Sequence, residues 1–81
     1  MTAPTKCREL IESLTDNDWS FVLKHGVDTG ESPFISIEAL RGDDRIWVTW
    51  HTRATGTYRL FSCLLNKRVV TLTKAMQAVA A

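Results

Sequence analysis

Hydrophobic residues follow a helical period only near the two ends of this 81-residue chain, and between those ends they alternate as in β-strands. Four residues near the start have the i, i+3, i+4, i+7 spacing of one helix face: Cys7, Leu10, Ile11 and Leu14. Four residues near the end repeat that spacing: Leu72, Ala75, Met76 and Val79. The pattern predicts one helix from Pro4 to Leu14 and another that begins after Thr71, whose hydroxyl can cap the first turn.

Four runs of β-forming residues fill the middle of the chain, and turn-forming residues separate them. The runs are Trp19–His25, Phe34–Leu40, Arg45–Thr52 and Thr57–Leu65. The segment Gly26–Pro33 is the longest predicted loop, because two glycines and a proline interrupt any regular pattern. Between the last two runs, Gly56 can take the positive φ that a short hairpin loop often requires. In this prediction, Asn66, Lys67 and Arg68 close the fourth strand.

This order of elements predicts an α+β fold. Each helix has one apolar stripe, and both stripes can be buried against the same sheet. We therefore expect a two-layer sandwich in the order helix-strand-strand-strand-strand-helix, with an antiparallel four-stranded sheet and both helices on one face. The length and the 44% apolar composition suit a single domain over residues 1–81.

Alternation within the strands predicts which side chains share a face. In the first strand the richer face holds Trp19, Phe21, Leu23 and His25. The predicted buried sets of the other strands are Ile35, Ile37 and Ala39; Ile46, Val48 and Trp50; and Tyr58, Leu60 and Leu64. The opposite face takes Lys24, Phe34, Trp47, Thr49, His51, Arg53, Arg59, Phe61 and Cys63. A register slip of one residue exchanges the faces, so the reverse assignment, with Trp47 and Phe61 buried and Trp50 exposed, stays open.

Charge divides the chain into an acidic and a basic half within a total of +1. Residues 1–40 contain three basic and seven acidic side chains, and residues 41–81 contain seven basic and two acidic ones. The two halves therefore carry −4 and +5, and no acidic residue follows Asp44. Such an asymmetry predicts a basic surface that can meet phosphates or an acidic protein.

The aromatic and basic residues of the second half form the predicted binding site: Trp47, His51, Arg53, Arg59, Phe61, Lys67 and Arg68. Trp and Arg are enriched among the residues that dominate protein interfaces. We expect a small adaptor, regulatory or inhibitory domain that binds a protein partner through this face. Self-association is included in this expectation, because a basic half can pair with an acidic half in an antiparallel homodimer.

Two alternatives stay open for the same face. Nucleic acid can bind it, because bases stack on exposed aromatic rings while Arg and Lys neutralise phosphates. The pI of 7.8 weighs against this alternative, since domains built for phosphate usually have a pI above about 9. The other alternative is an ordinary surface of cross-strand aromatic pairs that binds nothing.

Catalysis, metal binding and cofactor binding are not expected. His25 and His51 are isolated on strands, and a general base needs a positioned partner. Cys63 and His51 form the only candidate nucleophile pair, which requires both side chains on one face of the sheet. Asp43 and Asp44 form a turn in this interpretation, because the downstream Glu and the loop spacing of a calcium site are missing.

The cysteine count and the N-terminal sequence indicate the compartment. Cys7 and Cys63 are expected to be reduced core residues, because two thiols fall short of a disulfide scaffold. The first ten residues lack the basic start and apolar stretch of a signal peptide. No apolar run reaches the ~20 residues that a membrane span needs. We therefore expect a cytoplasmic protein with no membrane partner.

Overall fold

The structure, a computed structural model, describes residues 4–27, 33–53 and 56–81. These residues form two helices and one antiparallel sheet of five strands, which lie in the sheet in chain order. The elements are α1 Thr5–Asp16, β1 Ser20–Val27, β2 Pro33–Arg41, β3 Asp44–Thr52, β4 Tyr58–Leu65, β5 Arg68–Val69 and α2 Leu72–Ala80. The predicted α+β class and the order of elements are confirmed, but the sheet has a fifth strand.

The fifth strand follows from the backbone conformation of the turn after β4. Asn66 and Lys67 have φ values of 51° and 70°, the left-handed pair of a two-residue hairpin turn. This turn brings Arg68 opposite Leu65 and allows β5 to pair with the end of β4. Lysine is an uncommon residue at a positive φ, so the sequence predicted only a strand end here.

Strand β1 is also longer than the sequence predicts. Gly26 and Val27 pair with Phe34 and Pro33, so both ends of the predicted loop Gly26–Pro33 belong to strands. The ring of Phe34 lies over Gly26, 3.6 Å from the position that a Cβ atom of residue 26 would occupy. An aromatic ring packed over a glycine shields the backbone that the glycine leaves bare. The rest of that loop, residues 28–32, lies outside the described residues.

The turn between β3 and β4 has the predicted glycine conformation. Gly56 has a φ of 87°, and its N–H donates to the carbonyl oxygen of Arg53 over 2.8 Å. The Arg53 N–H in turn donates to the carbonyl oxygen of Thr57 over 2.7 Å. The positive φ at Gly56 is therefore confirmed, while residues 54 and 55 of this hairpin lie outside the described residues.

The buried side chains of the sheet lie on one face: Ile35, Ile37, Ala39, Ile46, Val48, Trp50 and Cys63. They form a single core with the buried residues of the helices and of the segment after α1: Cys7, Leu10, Leu14, Trp19, Ala75 and Val79. Both helices therefore pack on the same face, which we call the helix-bearing face; the opposite one is the outer face. The predicted buried sets of β2 and β3 are confirmed. Both cysteines are free thiols in the core, as the cysteine count predicts, although alternation alone directs Cys63 to the other face.

A β-bulge in β4 reverses the predicted orientation of its second half. Val48 pairs with Cys63, whereas Trp50 pairs with Leu60, so one extra residue of β4 lies between these pairs. The prediction that Cys63 faces outward and Leu64 inward is therefore wrong: Cys63 is buried in the core, and Leu64 lies opposite Trp47 on the outer face. Before the bulge, Tyr58 and Leu60 face the helix-bearing side as predicted.

Helix α1 ends two residues later than predicted, in a Schellman motif. The Trp19 N–H donates to the carbonyl oxygen of Leu14 over 3.0 Å, and the Asp18 N–H donates to that of Thr15 over 3.4 Å. Asp18 takes the left-handed conformation, with a φ of 61°, which Asp tolerates better than most residues. The motif brings Trp19 against the core and directs the chain into β1. At the other helix, the predicted cap is confirmed, because the Lys74 N–H donates to Thr71 Oγ1 over 3.1 Å.

Arg41, the last residue of β2, joins the ends of both helices to the sheet. Its Nη1 donates to the carbonyl oxygens of Asn17 (3.1 Å) and Val79 (3.3 Å), and its Nη2 donates to that of Ala81 (2.9 Å). The guanidinium lies 4.7 Å from the centre of the Trp19 ring, a cation–π contact. The Trp19 indole N–H also donates to the Val79 oxygen, over 3.1 Å. A positive charge is favourable here, because the last carbonyls of a helix carry the negative end of its dipole.

Replacing Arg41 by Lys is expected to lower the free energy of unfolding by about 1–3 kcal/mol, because an ammonium group cannot reach the three carbonyl oxygens together. Urea unfolding followed by circular dichroism measures this loss. Arg45→Lys is the matched control, since the Arg45 side chain is exposed on the outer face. Equal stability of the two variants would contradict the role assigned to Arg41.

Candidate binding face

The outer face is the sheet surface opposite the helices, and cross-strand pairing arranges its side chains in rows. The first row is Val22, Glu38, Trp47, Leu64 and Val69. The second row is Lys24, Ser36, Thr49 and Ser62. The third row is Gly26, Phe34, His51 and Arg59, with Phe61 at the bulge beside it. An apolar row and an aromatic row therefore flank a row of small polar side chains and one lysine.

Large apolar side chains of the outer face are open to solvent. The exposed fractions are 55% for Val22, 44% for Leu40, 47% for Trp47, 63% for Phe61 and 85% for Val69. Both helices pack on the opposite face, and no other described element covers this one. Apolar residues that are exposed together on one face form the kind of patch that marks interaction surfaces.

Trp47 lies near the middle of the first row, and its orientation is fixed. Its indole N–H donates to Ser36 Oγ over 2.7 Å, and Ser36 Oγ also lies 3.3 Å from Thr49 Oγ1. The hydrogen bond holds the indole of Trp47, a residue of β3, over the neighbouring strand β2. There it lines a shallow cleft of about 50 Å³ with Val22, Lys24, Ser36 and Glu38. The ring is therefore exposed but held in place, which reduces the entropy that a partner must remove on binding.

Phe34, His51 and Phe61 form a continuous aromatic row across β2, β3 and β4. The ring centres of Phe34 and His51 are 6.0 Å apart, and those of His51 and Phe61 are 4.4 Å apart. The rings are tilted against each other by 32° and 55°, so neither pair is stacked face to face. The bulge makes this row, because the extra residue in β4 is Phe61 and its ring packs against His51.

The basic side chains do not form a single cluster. Arg59 lies opposite His51 at the end of β3, and Arg53 is exposed one residue beyond that strand. Arg45 and Lys67 are at the other end of β3, beside Asp43; Arg45 is six residues from His51, about 20 Å at the usual rise per residue. Arg68 pairs with Leu65 and therefore lies on the helix-bearing face. At ordinary ionic strength, charges separated by more than about 8–10 Å act independently.

The outer face thus holds four of the seven predicted binding residues: Trp47, His51, Arg59 and Phe61. Arg53 lies at the edge of this group. Lys67 is in the turn between β4 and β5, at the other end of the sheet, and Arg68 is on the helix-bearing face. Sequence reasoning left three exposed outer-face residues out of the site: Val22, Leu40 and Val69. Alternation could have identified Val22 and Leu40, because each shares a face of its strand with polar residues.

The candidate nucleophile pair does not form. Cys63 is buried on the helix-bearing face, whereas His51 is on the outer face, so the sheet separates their side chains. Burial also raises the pKa of the Cys63 and Cys7 thiols above their usual value, which disfavours the reactive thiolate. Among residues 4–27, 33–53 and 56–81, no three His, Cys, Asp or Glu side chains are grouped so that they could hold a metal ion.

Comparison of this chain with protein-family models, with curated proteins and with solved structures gave no match. Neither α1 nor α2, the helices of the described part of the chain, has the length and hydrophobicity to cross a membrane. The geometry of the outer face is therefore the basis for inferring a function.

Iodide is expected to quench the fluorescence of Trp47 and to spare Trp19 and Trp50. Trp47 is 47% exposed, whereas Trp19 and Trp50 are 5% and 3% exposed, so a charged quencher can reach only the first. A Stern–Volmer plot of the folded protein should curve downward, and Trp47→Phe should remove the quenchable fraction. A straight plot with equal access to all three indoles would contradict the open outer face.

Proposed function

We propose that this chain is a protein-binding domain and that the outer face is its interface. The observation that carries this proposal is an uncovered sheet face with an exposed tryptophan near the middle of an apolar row. Tryptophan buried at the centre of an interface is among the residues that contribute most to binding energy. The chain then acts as an adaptor, regulator or inhibitor, because the candidate site offers contacts and no catalytic group.

The distribution of side chains on the outer face supports a protein partner. Val22 and Leu64 lie in the same row as Trp47, while Lys24 and Arg45 lie to the sides of that row. An apolar strip with charged neighbours is the usual anatomy of a protein interface. The hydrogen bond from Trp47 to Ser36 adds preorganisation, because the indole is already oriented before the partner arrives.

The charges of the outer face favour a partner with an acidic rim. Lys24, Arg45 and Arg59 are exposed there, and Glu38 is the one carboxylate in the rows defined above. Complementary charges at a rim raise the association rate more than they raise the affinity. Binding is therefore expected to be faster at low salt, while its free energy comes mainly from Trp47 and Phe61.

Nucleic acid is the second candidate, and the aromatic row favours it. Phe34, His51 and Phe61 offer ring surfaces beside Arg59, the combination that single-stranded nucleic acid uses for stacking and phosphate contact. Two features weigh against it. Glu38 is directly opposite Trp47 and would repel phosphate, and the basic residues are divided between two ends and two faces of the sheet.

The test begins with capture of partners from a nuclease-treated cell extract on the immobilised chain. A captured protein is then purified, and its affinity is measured by calorimetry for the wild-type chain and three variants. Trp47→Ala is expected to weaken binding about 30-fold, equivalent to about 2 kcal/mol. Leu60→Ala is the matched control, because Leu60 has a similar exposure of 40% on the opposite face of the sheet. Arg59→Ser should change mainly the salt dependence of the association rate.

The proposal fails if Trp47→Ala and Leu60→Ala bind the partner equally well while both variants remain folded. Anisotropy of labelled single-stranded and duplex oligonucleotides tests the second candidate. Salt-sensitive binding that Arg59→Ser and Phe61→Ala both weaken would favour nucleic acid over protein.

A further inference from the structure

We propose that the free edge of β1 pairs with β1 of a second copy of the chain, so that two five-stranded sheets become one continuous sheet. This inference does not depend on the proposed function of the outer face. In the described part of the chain, strand β1 is at the edge of the sheet and its pairing partner is β2, over eight residue pairs without a register shift. A long, regular edge offers a row of N–H and C=O groups that another strand can use.

The two open edges of the sheet differ in their suitability for such pairing. At the other edge, β5 covers only Leu64 and Leu65, and the remainder of β4 is interrupted by the bulge at Phe61. A bulge is one of the devices that prevents edge-to-edge pairing. Strand β1 contains neither a bulge nor a proline. The regular edge is therefore the one available for self-association.

Exposed apolar side chains lie on both sides of the β1 edge. Val22 is 55% exposed on the outer face, and Leu23 is 42% exposed on the helix-bearing face. Leu23 lies opposite Ile37, which is fully buried, so the apolar core reaches the edge of the sheet and stops there uncovered. A strand added at this edge would cover Leu23 and extend the core.

The sequence of β1 is self-complementary in the antiparallel register whose twofold axis lies at Leu23. With the twofold axis at Leu23, that residue faces its own copy, and Phe21 faces His25 of the second copy. On the outer face, Val22 then faces the aliphatic stem of Lys24 from the second copy. A twofold axis at Lys24 would instead bring two ammonium groups together, which is unfavourable. The register centred on Leu23 therefore avoids like charges and joins apolar surfaces.

The same register creates a charge pair between the two copies. Glu38 lies opposite Val22, so Lys24 of the second copy, Val22 and Glu38 fall in one line across three strands. Strands are about 4.8 Å apart, which leaves about 10 Å between the backbones that carry Lys24 and Glu38. Their extended side chains can span that distance. Within one copy the two residues are not paired: the salt bridge found in residues 4–27, 33–53 and 56–81 joins Lys6 and Glu9.

Light scattering coupled to size-exclusion chromatography tests the inference, with the chain loaded from low to several hundred micromolar. The interface is small, so we expect a mass that rises with concentration from 9.1 kDa towards twice that value. Leu23→Lys should leave a monomer at every concentration, because it brings two ammonium groups together at the twofold axis. Leu60→Lys is the matched control: Leu60 is 40% exposed on the same face at the opposite edge, and this variant should still dimerise.

A charge exchange provides a second test that does not depend on the folding of Leu23→Lys. Lys24→Glu and Glu38→Lys should each weaken dimerisation by about fivefold, and the double variant should restore it, because each dimer contains the pair twice. A monomer throughout the concentration range overturns the inference. A dimer that Leu60→Lys or Trp47→Ala disrupts, and that Leu23→Lys does not, overturns it as well by locating the contact elsewhere.

Discussion

Contacts of Arg41 and Trp19 hold both helices on one face of the sheet, and the exposure of the opposite face depends on that arrangement. The Arg41 guanidinium binds carbonyl oxygens at the C-terminal ends of α1 and α2, and the Trp19 indole binds one of the same oxygens. With both helices held on the helix-bearing face, neither is left to cover the other side. The outer face is therefore left uncovered by how the helices are anchored.

The sequence predicted the elements whose pattern is local. The helix stripes, the cap at Thr71, the buried faces of β2 and β3 and the positive φ of Gly56 depend on residue spacing or on one backbone angle, and the structure confirms them. The errors occur where tertiary contacts decide the outcome. Alternation assigns successive residues to opposite faces without interruption, so it does not predict the bulge that turns Cys63 inward. Turn propensities do not favour the left-handed conformation of Lys67, which precedes β5.

The candidate site was predictable to a similar extent. Alternation placed Trp47, His51, Arg59 and Phe61 on one face. Trp47 and His51 belong to the regular strand β3, Arg59 precedes the bulge, and Phe61 is the bulge residue whose ring packs against His51. Alternation could not predict that the basic residues are dispersed, since the distance between Lys67 and Arg59 depends on strand length and the face of Arg68 depends on the unexpected fifth strand. The acidic and basic halves of the sequence therefore do not form two opposed surfaces. The apolar and aromatic rows of the outer face indicate the binding site better than the charges do.

Solvent paramagnetic relaxation in NMR tests most directly the proposal that a partner binds the outer face. A soluble gadolinium chelate should strongly relax side-chain protons of Val22, Trp47 and Phe61 and leave those of Ile37 and Val48 unaffected. Adding a captured partner should then protect the outer-face protons and leave the exposed surfaces of α1 and α2 as they were. Protection confined to the helices, with Trp47 and Phe61 still relaxed, would contradict binding at the outer face.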